Sequence, residues 1–312
     1  MSIVVPHLGD DSRFESSLVS VLENRPRRCE VLVCHDGSYG DPFDLGDEVR
    51  FVTSPSQDLP SQVLAAAEAA QGRLLHVLCD GAVATEGWTE AALDAFEDPS
   101  VASVAPRVSD GDDKHTAALG WTQTAGSVCT PVAAGRRTPS RRDRAAVRGA
   151  YLSASFWRTA VLRCLDELTA TTDPHVATAL WTAAIHRAGL RCSGQVASQV
   201  RADSDFAQSL QLSATTTRHL QSVATVADGQ SALKAGLTGL AANVHRPGRW
   251  SPAWGRLSAA WADTAIQRRW RSELPSVVAA VMAAAEGDER PMTLKMPTRS
   301  RVAVPASVRR AA

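Results

Sequence analysis

The first half of the chain alternates short apolar runs with amphipathic stretches. Residues 3–5, 30–34, 49–52, 74–78 and 101–108 are Val- and Leu-rich runs of the length of buried strands. Between the first two, Phe14, Leu18, Val21 and Leu22 recur at helical spacing, which predicts a helix over 13–24 with Asp11 or Ser12 as its cap. An alanine-rich helix over 59–71 stops at Gly72, and a third over 87–96 stops near Pro99. Strands alternating with helices predict an α/β fold whose mostly parallel sheet is covered on both faces. Such folds bind ligands beyond the carboxyl ends of their strands.

The pattern changes after 108. Residues 109–145 open on Asp110-Gly111-Asp112-Asp113-Lys114 and close on an arginine run from Arg136 to Arg144, so they read as a long polar insertion, partly mobile. The arginine run reads as a solvated loop, with an acidic acceptor or headgroup as its other reading. A strand is expected at 147–152, a helix over 155–168, and another over 175–188 that ends at Gly189. The α/β unit then spans 1–200. Residues 201–286 read as an alanine-rich helical region broken at Pro247, Pro252 and Pro275, and 287–312 as a disordered basic tail.

With 312 residues, 44% of them hydrophobic, the chain is long enough for one large or two ordinary domains, which excludes disorder of the whole. Thirty-three Lys plus Arg balance thirty-three Asp plus Glu, leaving no global field to hold a nucleic acid. The opening Met1-Ser2-Ile3-Val4-Val5-Pro6-His7 lacks a basic start and a long apolar run, so it reads as a first strand of a cytoplasmic protein. Six scattered cysteines without a C-x-x-C pair read as reduced thiols, not as a zinc site. His76, His115 and His175 have no ligand-like spacing and receive no role.

Candidate chemistry sits at two strand ends, Cys34-His35-Asp36-Gly37-Ser38 and Cys79-Asp80-Gly81. Each puts Asp-Gly just past an apolar run, where a carboxylate can face a ligand and glycine permits close backbone approach; Asp-Gly is equally a turn dipeptide. Other features fall in a fixed order around them. A first strand ends at Pro6, and Ser17-Leu18 lies on the first helix. Gly87-Trp88 follows the fourth strand, and the stretch from Ala91 through Pro99 to Pro106 comes next. Gly149-Ala150, Phe156-Trp157-Arg158, Leu165-Asp166-Glu167 and His186-Arg187-Ala188-Gly189-Leu190-Arg191 come last.

Over residues 2–200 this order resembles family 2 glycosyltransferases of the GT-A fold. The resemblance implies a GT-A-type α/β domain with an α-helical C-terminal extension. It also implies a nucleotide-diphosphate sugar donor, a glycan or lipid-linked acceptor, and inverting transfer to a hydroxyl. Pro6, Asp36, Gly37 and Ser38 would line the nucleoside pocket, and Asp80 would bind a divalent cation, Mg or Mn, that stabilises the leaving diphosphate. Asp173 would be the base that takes the acceptor proton in one alignment; a second alignment places that position at Ala177-Thr178, and Asp173 also reads as a cap before Pro174.

The chain departs from the family at several places. Cys79 and Gly81 stand where the metal motif has acids, His35 where an Asp precedes Asp-Gly-Ser, and Leu64 and Ala66 where Asn and Gly are usual. A catalytically inactive binding or scaffolding protein is therefore the second reading. A nicotinamide dehydrogenase is disfavoured, since no G-x-G-x-x-G follows the first strand. Trp250, Trp254, Trp261 and Trp270, interleaved with Arg249, Arg256 and Arg268, are expected to pack on the α/β core; peripheral membrane contact is their other reading.

Overall fold

The computed structural model describes residues 1–124, 128–169, 171–229, 231–242, 250–261 and 265–288. The chain opens with β1 (Ser2–Pro6), α1 (Asp11–Glu23), β2 (Glu30–His35), β3 (Arg50–Thr53), α2 (Leu59–Ala69) and β4 (Leu74–Leu78). It continues through β5 (Ala82–Ala84), α3 (Glu90–Ala95), β6 (Val101–Ser109), β7 (Thr116–Leu119), β8 (Trp121–Thr122), β9 (Thr130–Pro131) and α4 (Arg141–Ala146). Next come β10 (Ala154–Arg158), α5 (Thr159–Arg163), one 3-10 turn at Asp166–Leu168, α6 (Pro174–Arg187) and β11 (Arg191–Ala202). Helices α7 (Ser204–Ser209), α8 (Ala214–Asp228), α9 (Ala232–Ala242), α10 (Trp250–Ser258) and α11 (Ala265–Asp288) follow.

Nine strands form one sheet in the order β3-β2-β1-β4-β10-β6-β11-β5, with β7 added on β6. The period-2 alternation of β1 divides the core. Ile3 and Val5 join Phe14, Leu18 and Val21 of α1 on one face, and Val4 joins Val63 and Leu64 of α2 on the other. The parallel half is as expected, but β10 runs antiparallel to both β4 and β6, and β5 antiparallel to β11, so the sheet is mixed.

Four expectations are corrected. Helix α1 is capped by Asp10, whose Oδ1 accepts from Arg13 N at 3.1 Å, rather than by Asp11 or Ser12. Residues 147–152 are not a strand; the strand is β10, where a helix was expected. Its Phe156 stacks on His76 with ring centroids 3.8 Å apart, while Trp157 meets Trp181 edge-on at 5.7 Å. A five-residue strand buried on both faces cannot be told from a helical turn by periodicity. The polar insertion is substantially folded: β7 pairs with β6, β8 with β9, and α4 carries a capping box from Ser140 and Asp143. Buried Leu119, Trp121 and Val132 anchor it.

The fourth correction concerns proline. Pro252 is the third residue of α10, where a missing N–H is harmless, and α11 runs on across Pro275. Burial of Trp270, Leu274, Val277 and Val281 holds α11 against the cluster that contains Val161, Leu162 and Trp181, and α8 joins it through Leu220 and Val223. Pro247 and the tail beyond Asp288 lie outside the described residues. No helix among the described residues is long and apolar enough to cross a membrane, and all six cysteines are free thiols.

Candidate functional site

Asp80 follows β4 directly and lines a cavity of about 330 Å³ together with Leu8, Arg13, Gln57, Tyr151 and His175. The cavity lies beyond the carboxyl ends of β1 and β4, where a sheet with helices on both faces leaves its strand ends open. Helix α7 closes it through Phe206 and Ser209, and His175 Nε2 holds that helix by bonding Ser209 O at 2.9 Å. Burial pushes the Asp80 carboxyl above its ordinary range. The Arg13 charge opposes this, and the charges of Asp10 and Asp203 add to it. The site is thus short of positive charge.

The two missing acids around Asp80 have structural explanations. Cys79 is buried, its backbone N–H donates to Ser153 O at 3.0 Å, and burial pushes its thiol far up, so the sulfur stays protonated. Gly81 sits at φ +79°, and a Cβ there would lie 2.2 Å from Arg13 Nη2 and 2.7 Å from Asp203 Oδ2. The space of a side chain at 81 is filled by a carboxylate from the far end of β11. Asp203 is held by two parallel bonds from Arg13, Nε to Oδ2 at 3.0 Å and Nη2 to Oδ1 at 3.1 Å, and it also caps α7.

The residues expected around the nucleoside lie elsewhere. Pro6 is buried at the end of β1 opposite Cys34. Asp36, Gly37 and Ser38 form an exposed loop in which Asp36 Oδ1 accepts from Ser38 N at 3.0 Å and Ser38 Oγ at 2.5 Å, which lowers the Asp36 carboxyl. None of the four lines the Asp80 cavity. His7 follows β1 directly, and its Nε2 bonds Asp11 Oδ1 at 2.7 Å. Beside it, His7 Nδ1, Tyr39 Oη and Gln62 Oε1 are buried without a hydrogen-bond partner among the described residues. Three such orphans are costly unless a ligand or water satisfies them. His35 accepts from Gly37 N through Nδ1 at 3.1 Å, and Leu64 and Ala66 belong to the core.

Asp173 caps α6: its Oδ1 accepts from His175 N at 2.9 Å and Val176 N at 3.3 Å, and its Oδ2 from Thr216 Oγ1 at 2.6 Å. It is not among the cavity residues, whereas the next two, Pro174 and His175, are. His76 is structural: it lies fully buried between Trp88 Nε1 and Ser155 O, its pKa pushed down to about 3 by burial. Sequence reasoning missed Arg13, Asp203, His7 and Gln62. Nothing local in the sequence ties Arg13 to Asp203.

As for a metal, no group of three His, Cys, Asp or Glu that could hold one occurs among the described residues. Asp80 alone, raised by burial and by its acidic neighbours, fits a divalent cation that arrives on a diphosphate and uses phosphate oxygens for its other ligands.

No protein-family model matches the sequence, and no curated protein matches it. Solved structures do. GalNAc-T7 with UDP, GalNAc and Mn2+ aligns with TM-score 0.54 and 13% identity over 93% of this chain, which spans 57% of that structure's length. Residues 1–349 of TarS from S. aureus align with TM-score 0.50 and 15% identity over 91% of this chain and 88% of that one. The likeness is one of fold: the chain has the α/β architecture of GT-A glycosyltransferases.

Proposed function

We propose that the chain binds a nucleotide-diphosphate sugar at the Asp80 cavity and transfers the sugar, with inversion, to a hydroxyl of a glycan or lipid-linked acceptor. The observation that carries this is Asp80 itself: a half-buried carboxylate short of positive charge, at the end of β4 in a GT-A-type sheet. Asp80 would hold a Mg or Mn ion brought by the donor, and that ion supplies charge stabilisation to the departing diphosphate. Arg13, oriented by Asp203, presents the one cationic side chain among the cavity residues to the same phosphates. The orphaned polar atoms of His7, Tyr39 and Gln62 would face the nucleoside, with Pro6 at the end of β1 and Asp36, Gly37 and Ser38 on the loop after β2 as its expected neighbours.

Asp173 is the acceptor base in this reading, and it reaches a hydroxyl only when Thr216 Oγ1 gives up its bond to Oδ2. That saturation favours a second reading, a GT-A-fold protein that binds a nucleotide sugar without transferring it. Calorimetric titration with UDP- and GDP-sugars, with and without Mn2+, tests the first step on wild type and Asp80→Ala. Metal-assisted binding lost in the variant supports the donor site; absence of binding to every donor rejects it. Sugar transfer by wild type that falls in Asp173→Asn at unchanged donor affinity supports the enzyme, and donor binding with no transfer supports the inactive form.

A further inference from the structure

A second cavity lies away from Asp80. It measures about 610 Å³, lies between the coil that ends at Arg148 and the helices α9 and α10, and is lined by Thr124, Arg148, Ser231, Lys234, Thr238 and Arg256 among others. Three cations and three hydroxyls face it, with no carboxylate among the described residues of its lining. Arg256 is 2% exposed, and its Nε donates to Gln221 Oε1 at 2.9 Å. Gln221 is fully buried, and its Nε2 donor has no partner among the described residues. The rim acid is Asp228, held by Arg148 Nη2 at 2.6 and 2.7 Å. A concave site of cations and hydroxyl donors has the chemistry that holds a phosphate.

The same helices also expose large apolar side chains. On α9, Leu233 and Leu237 stand one turn apart and are about half exposed, in the row next to Lys234 and Thr238. On α10, Trp250 and Trp254 are likewise one turn apart and exposed, and Trp261 just beyond is 72% exposed. The helices pack closely at Gly236, where a Cβ would come within 2.5 Å of Leu257 Cα. The α9–α10 pair therefore carries exposed leucines and tryptophans as well as a cationic hollow.

We propose that α9 and α10 dock on an anionic phospholipid surface, with these apolar side chains entering the headgroup–acyl boundary and a lipid phosphate entering the cavity. Tryptophan suits that boundary because an apolar ring and a polar N–H sit together in one side chain. A soluble anion would use the hollow and leave the exposed leucines and tryptophans unexplained. A symmetric dimer would press the hollow's cations toward their own copies. A lipid surface matches both features.

The test is co-sedimentation of the full chain with phosphatidylcholine vesicles, with and without about one-third phosphatidylglycerol. Wild type is expected to bind the anionic vesicles and to lose them as salt rises. Leu237→Ser with Trp254→Ser should lower binding at least tenfold with an unchanged circular dichroism spectrum, since both residues are exposed. Lys234→Glu should remove the preference for the anionic lipid. Equal binding to neutral vesicles, or binding that survives both substitutions, overturns the proposal; the latter assigns it to the basic residues beyond Asp288. So does a dimer in solution that Trp254→Ser dissociates, or binding of inorganic phosphate without binding of vesicles.

Discussion

Two arginine–aspartate clamps, one made through two nitrogens and the other through Nη2 alone, hold the two halves of this protein in different electrostatic company. Arg13–Asp203 ties α1 to the end of β11 beside Asp80, where Asp10 adds a further acid. Arg148–Asp228 ties the coil before β10 to the end of α8, beside Lys234 and Arg256. As salt bridges they are alike, their side chains being 27% to 39% exposed, and each contributes on the order of 1 kcal/mol or less. Their surroundings decide their use. The strand-end clamp leaves an excess of carboxylate that favours a cation-bearing ligand, and the helical clamp leaves an excess of cation that favours an anion.

The largest expected effect comes from Gly81→Ala. Its φ of +79° and the atoms crowding the Cβ position force Arg13 and Asp203 apart. Donor affinity in calorimetry should fall beyond measurement, and urea unfolding should lose roughly 1–3 kcal/mol. Gly236→Ala makes the opposite cut: it separates α9 from α10 and should abolish vesicle binding while donor titration stays at the wild-type value. If either glycine variant disables both activities, the two regions are not independent.

Arg13→Met and Arg148→Met sharpen the contrast at smaller scale. The first should weaken donor binding about a hundredfold, the size of a lost charge-assisted contact of ~2–3 kcal/mol. The second should leave it alone and reduce vesicle binding severalfold. Asp173→Ala removes a helix cap and should cost about 1 kcal/mol in thermal or urea unfolding, whereas Asp173→Asn keeps an acceptor for His175 N and should stay near wild type in stability.

The smallest effect is a pH dependence at Asp80. Its carboxyl is raised above its ordinary 3.8, mainly by burial, so the ionised form is disfavoured in the folded state. Any stability it contributes is present below pH 3.8 and is lost as pH rises through the raised value. Asp80→Asn should therefore melt a few degrees higher than wild type at neutral pH, with the gap closing below pH 3.8. A lower melting temperature at neutral pH would mean that the acid is already compensated.

Much of the strand-end site was legible because local pattern suffices for it. The apolar run ending at Leu78 and the Asp-Gly after it place Asp80 at a strand end without reference to any other segment. Asp36 and Ser38 also read correctly as a turn after β2, yet that turn satisfies its own hydrogen bonds, so local pattern carries no sign of its distance from the cavity lining. Trp270 packs on the core as expected, while Trp254 and Trp261 remain exposed, contrary to the packing expected of all four tryptophans. Helical periodicity identifies a face, but the neighbour that covers it is set by other parts of the chain.

The sequence alone determined the alternation of strands and helices in the first half, the strand that delivers Asp80, and the helical character of the last third. These depend on contacts within a turn or two, where spacing of apolar residues carries the information. Tertiary structure alone decided that Asp203 fills the space beside Gly81, that Thr216 occupies Asp173, and that Arg148 and Arg256 share a cavity with Lys234. Each of those pairings joins residues far apart along the chain, and electrostatic company of that kind exists only once the sheet has brought its strand ends together.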